Sequence, residues 1–165
     1  MEINEQPRPA SESLTEMTEI LLPSDTNALG TAFGGKVMQW IDVCAAVAAM
    51  RHCRKPVVTA SMDELHFHAP IRLGEVVHLK ARVNAAFRHS LEVGVEVYSE
   101  HPITGERHHT CSALLTFAAV DAEGKPTSVP PLLLETQEER DAQAAATARR
   151  KQRLENRARS RALGG

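Results

Sequence analysis

Lys36-Val-Met-Gln-Trp-Ile-Asp42-Val-Cys-Ala-Ala-Val-Ala-Ala-Met-Arg-His52 is a run without glycine or proline, entered through the turn-rich Asn27-Ala-Leu-Gly-Thr-Ala-Phe-Gly34-Gly35. The glycine pair ends the turn region, and the spacing predicts one helix of about five turns over Lys36–His52. Val37, Ile41, Cys44, Ala45 and Ala48 recur at helical intervals along one face, and Ala46 and Ala49 keep its flanks thin. Side chains this small let a sheet wrap closely around the helix.

On both sides of the helix the period is that of strands. Leu14–Leu21 reads as a first short strand and Val57–Phe67 as a second. In Val76–Asn84 the apolar Val77, Leu79, Ala81 and Val83 alternate with His78, Lys80, Arg82 and Asn84, and Leu91, Val93, Val95 and Val97 alternate in the same way. Thr110–Val120 supplies a further apolar run, with turns at Gly105 and Gly124. One strand, a long helix and then four successive strands predict an α+β fold, an antiparallel sheet around one central helix, rather than alternating βαβ units.

Residues 1–12 are polar and proline-containing and are expected to lack fixed structure. The folded domain is expected over 13–134. The segment 135–165, rich in helix formers but nearly without large apolar residues, is expected to be a polar helical or disordered extension. Of the 165 residues 42% are hydrophobic, enough for one core. No apolar run approaches the roughly 20 residues of a membrane span, and the first residues lack the apolar segment of a signal peptide, so a cytoplasmic location is the expectation. Formal net charge is −2, but Arg149–Arg161 holds seven basic side chains against Glu155, leaving 12 basic and 20 acidic elsewhere. An acidic body with a basic tail is not a general polyanion binder, and the tail lacks both interleaved aromatics for base stacking and an apolar face for insertion. Neither a nucleic-acid nor a membrane partner is expected.

The chemistry concentrates at the helix entrance. Gly34 and Gly35 let a ligand approach bare backbone N–H groups at the positive end of a helix, an arrangement that polarises a carbonyl. Asp42, about 10 Å further along the helix and flanked by Ile41 and Val43, is a carboxylate in an apolar setting of the kind that suits a general base. Each residue also has a plainer reading. Asn27 can simply shape a turn, the glycine pair can be a tight link, and Asp42 can belong to a buried ion pair.

Three stretches resemble the hot-dog-fold acyl-CoA thioesterase family of the cytosolic acyl-CoA hydrolase type. They are NALGTAFGGKVMQWID from Asn27, RKPVVTASMDELHFHAPIRLGEVV from Arg54 and TFAAVDAEGKPTSVP from Thr116. The resemblance spans about Leu14 to Pro130. It implies hydrolysis of acyl-CoA to carboxylic acid and CoA, and a homodimer with edge-to-edge sheets that assembles into a trimer of dimers. It further implies an active site between subunits, in which Asp42 is general base or nucleophile and Asn27 of the opposite protomer orients water or the thioester carbonyl. The Gly35 N–H would stabilise the oxyanion, with Gly34 beside it, and Thr59 would position the acyl group or water. No cofactor is implied, CoA being part of the substrate.

Arg88 with Ser90, and the cluster Arg51, Arg54 and Lys55, are the candidates to meet CoA phosphates, against the plainer reading of solvated surface charge. Phe87-Arg88-His89-Ser90 departs from the family's pattern, in which smaller residues and a threonine are common. Met38, Trp40 and Met62 are candidates to limit acyl length. Two other functions stand beside hydrolysis: a non-catalytic acyl-CoA-binding regulator, and an acyl-thioester hydratase or dehydratase on the same fold. The latter wants a histidine paired with the acid, and none lies near Asn27 or Asp42 in sequence. There is no Gly-x-Ser-x-Gly elbow, and His66, His68, His108 and His109 do not form a zinc-ligand spacing with cysteine or acid. Cys44, Cys53 and Cys111 read as small buried apolar residues.

Overall fold

The computed structural model describes residues 5–164. Its elements are β1 (Arg8–Pro9), β2 (Thr15–Ile20), α1 (Gly34–Cys53), β3 (Val57–Phe67), β4 (Val76–Ala86), β5 (Ser90–Glu100), β6 (Arg107–Ala119), β7 (Leu132–Leu133) and α2 (Gln137–Leu163), with short 3-10 turns at Ala10–Ser13 and Pro23–Asp25. Five strands form one sheet in the order β2-β4-β5-β6-β3, and each neighbouring pair is antiparallel. The expected α+β architecture is therefore the one formed. β2 and β3, the strands flanking α1 in sequence, lie at opposite edges, and α1 packs against all five strands on one face of the sheet.

Alternation decides which face closes on the helix. Val77, Leu79, Ala81 and Val83 of β4 and Leu91, Val93, Val95 and Val97 of β5 are all buried. They meet Val37, Ile41, Cys44, Ala45 and Ala48 of α1, joined by Trp40 and Ala49. Burying one leucine or valine fully contributes roughly 1.5–3 kcal/mol, so this helix–sheet layer is the main source of stability. α1 stops where Arg54 takes a left-handed conformation at φ 55° and its N–H returns to the Met50 carbonyl.

The described part of the N-terminal segment is more ordered than the expectation, and the C-terminal segment takes the helical one of its two expected forms. Within the segment expected to lack structure, Arg8–Pro9 pairs in parallel with Leu132–Leu133 and Ala10 is buried. Ser13 is buried too, and its Oγ accepts from the Val83 N–H at 2.9 Å beside a bulge in β4. Residues 1–4 lie outside the described residues. At the other end α2 is a 27-residue helix begun by a capping box. Thr136 Oγ1 accepts from the Glu139 N–H at 3.1 Å, and Glu139 Oε2 accepts from Thr136 N–H at 3.3 Å. The helix crosses the outer face of the sheet, pairing Glu138 with Arg82 of β4, Arg149 with Glu92 of β5 and Arg153 with Asp63 of β3. Glu92 alternates with core residues of β5, as the pattern requires, yet its carboxylate is covered by α2 rather than by water: its side chain is 1% exposed. The Arg149 guanidinium donates to both of its oxygens, at 2.6 and 3.1 Å, and Asn84 Nδ2 donates to one at 3.2 Å. Asn84 reaches it by lying across Gly94, where a Cβ would sit 2.8 Å from the amide.

Candidate functional site

Residues Thr26–Phe33 form a closed loop. Asn27 N–H donates to the Thr31 carbonyl at 2.9 Å, Gly30 N–H donates to the Asn27 carbonyl at 3.1 Å, and the loop docks on residues 71–73 through Ala32 N–H to Ile71 O and Leu73 N–H to Gly30 O. The Asn27 side chain pins it from within. Its Oδ1 accepts from the N–H groups of Leu29 and Thr31, at 2.9 and 3.3 Å, and its Nδ2 meets the Thr31 hydroxyl at 2.9 Å. The turn-shaping role is thus real. It consumes the acceptor and leaves one of the two Nδ2 hydrogens on an exposed side chain.

α1 begins directly after this loop. Lys36 and Val37 N–H both turn back to the Phe33 carbonyl, so the donors of Gly34 and Gly35 precede the first helical bonds. Gly35 lies under the Phe33 ring: a Cβ there would come 2.7 Å from Phe33 Cε1. Between the loop, the first turn of α1 and the end of β3 lies a cavity of about 330 Å³, lined by Thr31, Ala32, Val37, Phe67, Pro70 and Ile71.

Asp42 lies two turns along α1, half-buried. Its partner comes from β3: Thr59 Oγ1 donates to Asp42 Oδ1 at 2.8 Å. Thr59 pairs in register with Phe117, a core residue, which turns its side chain to the helix side of the sheet. The hydroxyl fixes one carboxylate oxygen and leaves the other for a second partner. Asp42 is in no ion pair among the described residues of the chain. Within one chain Asn27 and Asp42 are each hydrogen-bonded elsewhere, Asn27 to its own loop and Asp42 to β3.

The cationic candidates divide. Lys55 Nζ is taken up by Glu5 and by the Ser128 carbonyl and hydroxyl, at 2.6 and 3.1 Å for the latter two. Arg51 donates to the Leu14 carbonyl at 2.7 Å and to Thr15 Oγ1 at 3.1 Å. Both tie the chain together. Arg54 and Arg88 are exposed. Arg88 belongs to the β4–β5 turn, which closes through Phe87 N–H to Ser90 O and leans on residues 127–129, with Val129 N–H donating to the Arg88 carbonyl. Trp40 is part of the core and Met62 packs against it, whereas Met38 is exposed.

The histidine runs meet on the outer side of the sheet. His68 stands 6.4 Å from His66 and 4.9 Å from His109, ring centre to ring centre. No group of three or more His, Cys, Asp or Glu gathers as it would around a metal ion among the described residues. No helix among them is long and apolar enough to cross a membrane.

The profile of the Thioesterase superfamily matches residues 29–106. An uncharacterized acyl-CoA thioester hydrolase of Bacillus subtilis (strain 168) is 42% identical over 152 residues, 92% of this chain and 88% of that protein. The crystal structure of an apo-hexameric acyl-CoA thioesterase superposes with a TM-score of 0.88 at 42% identity, over 93% of this chain and 98% of that one. The acyl-CoA hydrolase of Staphylococcus aureus, solved with butyryl-CoA, CoA and CoA disulfide, superposes with a TM-score of 0.85 at 35% identity, over 94% of this chain and 95% of that one. The S. aureus protein has also been solved as three alanine variants of an aspartate, an asparagine and a threonine. Their positions are numbered one higher there than Asp42, Asn27 and Thr59 here.

Proposed function

The chain belongs to the thioesterase superfamily of hot-dog acyl-CoA hydrolases, and from that membership we propose that it hydrolyses acyl-CoA thioesters to the free carboxylic acid and CoA. The observation that carries the reading is the half-buried Asp42 carboxylate, held through one oxygen by Thr59 and two helical turns from the bare N–H groups of Gly34 and Gly35. The free oxygen of Asp42 takes a proton from the attacking water, or itself attacks the carbonyl carbon, in which case a water then hydrolyses the resulting mixed anhydride to the free acid and restores the carboxylate. Charge then builds on the carbonyl oxygen. The Gly35 N–H and the remaining Nδ2 hydrogen of Asn27, brought by a second protomer, receive it. Because Asn27 Oδ1 is already spent on its own loop, the side chain suits a donor to the carbonyl better than an acceptor from water. The C–S bond then breaks and CoA leaves as thiolate, a leaving group good enough that neither metal nor cofactor is required.

The acyl chain is assigned to the cavity beside the helix entrance, and the pantetheine arm runs out toward Arg88, Ser90 and Arg54. A two-chain site requires an interface, and β3 supplies one. It is an edge strand with free backbone groups, and Val58 and Phe67 on it are 51% and 53% exposed. We assign β3 to a homodimer seam, with dimers assembling in threes as the similarity to a hexameric thioesterase suggests. A cytoplasmic location belongs to the same proposal, and cell fractionation tests it.

Thiol release from CoA esters of short to long chain tests the function directly. Turnover that the Asp42→Ala chain lacks while still assembling is the expected result. Absence of turnover across the whole panel by the unaltered chain would overturn it, and binding without turnover would favour a non-catalytic acyl-CoA-binding regulator.

A further inference from the structure

α2 carries the basic run that the hydrolysis mechanism leaves unused, and it encloses a second cavity against the outer face of the sheet. The cavity, about 180 Å³, is lined by Arg150, Arg153 and Arg157 from the helix and by Ser61, Ser90 and Thr116 from β3, β5 and β6. The three arginines stand at i, i+3 and i+7, the spacing that puts them on one side of a helix. Of the carboxylates nearby, Glu92 is neutralised by Arg149, and Asp63 is shared between Arg153, at 3.3 Å, and the Ser61 hydroxyl, at 3.2 Å. Arg150 lies over the Phe87 ring, 4.9 Å from its centre, and neither it nor Arg157 has a carboxylate partner among the described residues. Among the described residues three guanidinium groups line the pocket and no carboxylate does. Thr116 Oγ1 is buried on its floor with no hydrogen-bond partner among the described residues. A buried hydroxyl without a partner and a guanidinium stacked only on a phenyl ring face one small space with the exposed Arg157 at its margin, a donor set that suits an acceptor-rich anion.

We propose that this pocket binds a phosphate group. Guanidinium forks match phosphate oxygens two at a time, and the hydroxyls add donors. The volume falls below the roughly 300 Å³ at which drug-sized ligand pockets begin, so it suits one phosphate group rather than a whole nucleotide. Ser90 belongs both to this pocket and to the β4–β5 turn assigned above to CoA. The phosphate therefore has two possible sources: the nucleotide end of the CoA substrate, which rests on the hydrolysis reading, or free phosphate acting as an effector, which does not.

The test uses the full chain, the exposed Arg157→Gln and the near-isosteric Thr116→Val. Inorganic phosphate is titrated by calorimetry, and KM is measured for butyryl-CoA and for butyryl-pantetheine, which carries no phosphate. If the source is CoA, KM for butyryl-CoA rises roughly tenfold in Arg157→Gln, about the loss of one charge-assisted hydrogen bond, while KM for butyryl-pantetheine does not move. If the source is free phosphate, the unaltered chain binds inorganic phosphate saturably, both variants bind it roughly tenfold more weakly, and KM for butyryl-CoA is unchanged. No saturable phosphate binding together with an unchanged KM for butyryl-CoA overturns the proposal. Because the titration needs no turnover, loss of the hydrolysis reading would leave it interpretable.

Discussion

A single threonine hydroxyl distinguishes the Asp42 environment from that of an ordinary surface acid. With Thr59 Oγ1 donating at 2.8 Å, one carboxylate oxygen is fixed and the other is aimed by default. Asp42→Asn keeps the shape and removes the base, and kcat for acyl-CoA is expected to fall by about 10²–10⁴, the usual yield of a positioned proton acceptor. Thr59→Val is expected to lower kcat less, by about tenfold, with little change in KM, and Thr59→Ser to restore most of it; loss of one neutral hydrogen bond supports that size. A Thr59→Val chain with unaltered kcat would remove the hydroxyl from the mechanism. At this scale much was legible in the sequence. A carboxylate between Ile41 and Val43 on an alanine-rich helix is conspicuous, and the glycine pair marks the helix entrance. The Asn27 amide was legible as a turn former and as a candidate. Which of its atoms remains free was not, because that depends on how the Thr26–Phe33 loop closes on itself.

Among the elements, the central helix and five sheet strands follow the residue patterns to within a few positions, since each carries a period set by one buried face. α2 differs. Its start is written in Thr136-Gln-Glu-Glu139, a capping box, but its docking is not, because little of what it buries is apolar. It is fastened by Ala146 and by an ion pair whose acid sits on a strand more than fifty residues away. Local pattern cannot reveal a partner at that distance. The pair makes a sharp prediction. Arg149→Met leaves the Glu92 carboxylate buried without its counter-charge, held only by the Asn84 amide, and is expected to cost about 3 kcal/mol in denaturant unfolding. Adding Glu92→Gln is expected to recover most of that loss. A single variant as stable as the unaltered chain would mean that α2 lifts away from the sheet.

For the molecule as a whole, two sets of buried groups bound the pH range of stability. Burial holds His52 below its ordinary 6.5, its Nε2 fixed at 2.7 Å to the Pro130 carbonyl. The unfolded chain therefore binds the extra proton first, and stability is expected to decline as pH falls through 6.5. Burial pushes the Cys44 and Cys111 thiols from 9.0 up to about 11. There the unfolded chain loses protons first, so stability is expected to decline again as pH rises above about 9. Denaturant midpoints at fixed protein concentration from pH 5 to pH 10 check both arms. The same burial predicts thiols inert to alkylation at neutral pH in the folded protein, which keeps a thiol-release assay free of background.

The assembly itself lies beyond any one chain's sequence pattern, yet the proposed chemistry depends on it, because Asn27 and Asp42 are held by separate hydrogen bonds within a protomer and are proposed to meet only across a seam. Mixing subunits tests that most directly. Asn27→Ala and Asp42→Ala chains, each inactive alone, are unfolded together and refolded. If the residues act from opposite protomers, half of the randomly formed dimers carry one intact site, and thiol release returns to about a quarter of the unaltered rate. If mixed dimers form and no activity returns, both residues serve one chain's own site, and the two-protomer mechanism is wrong.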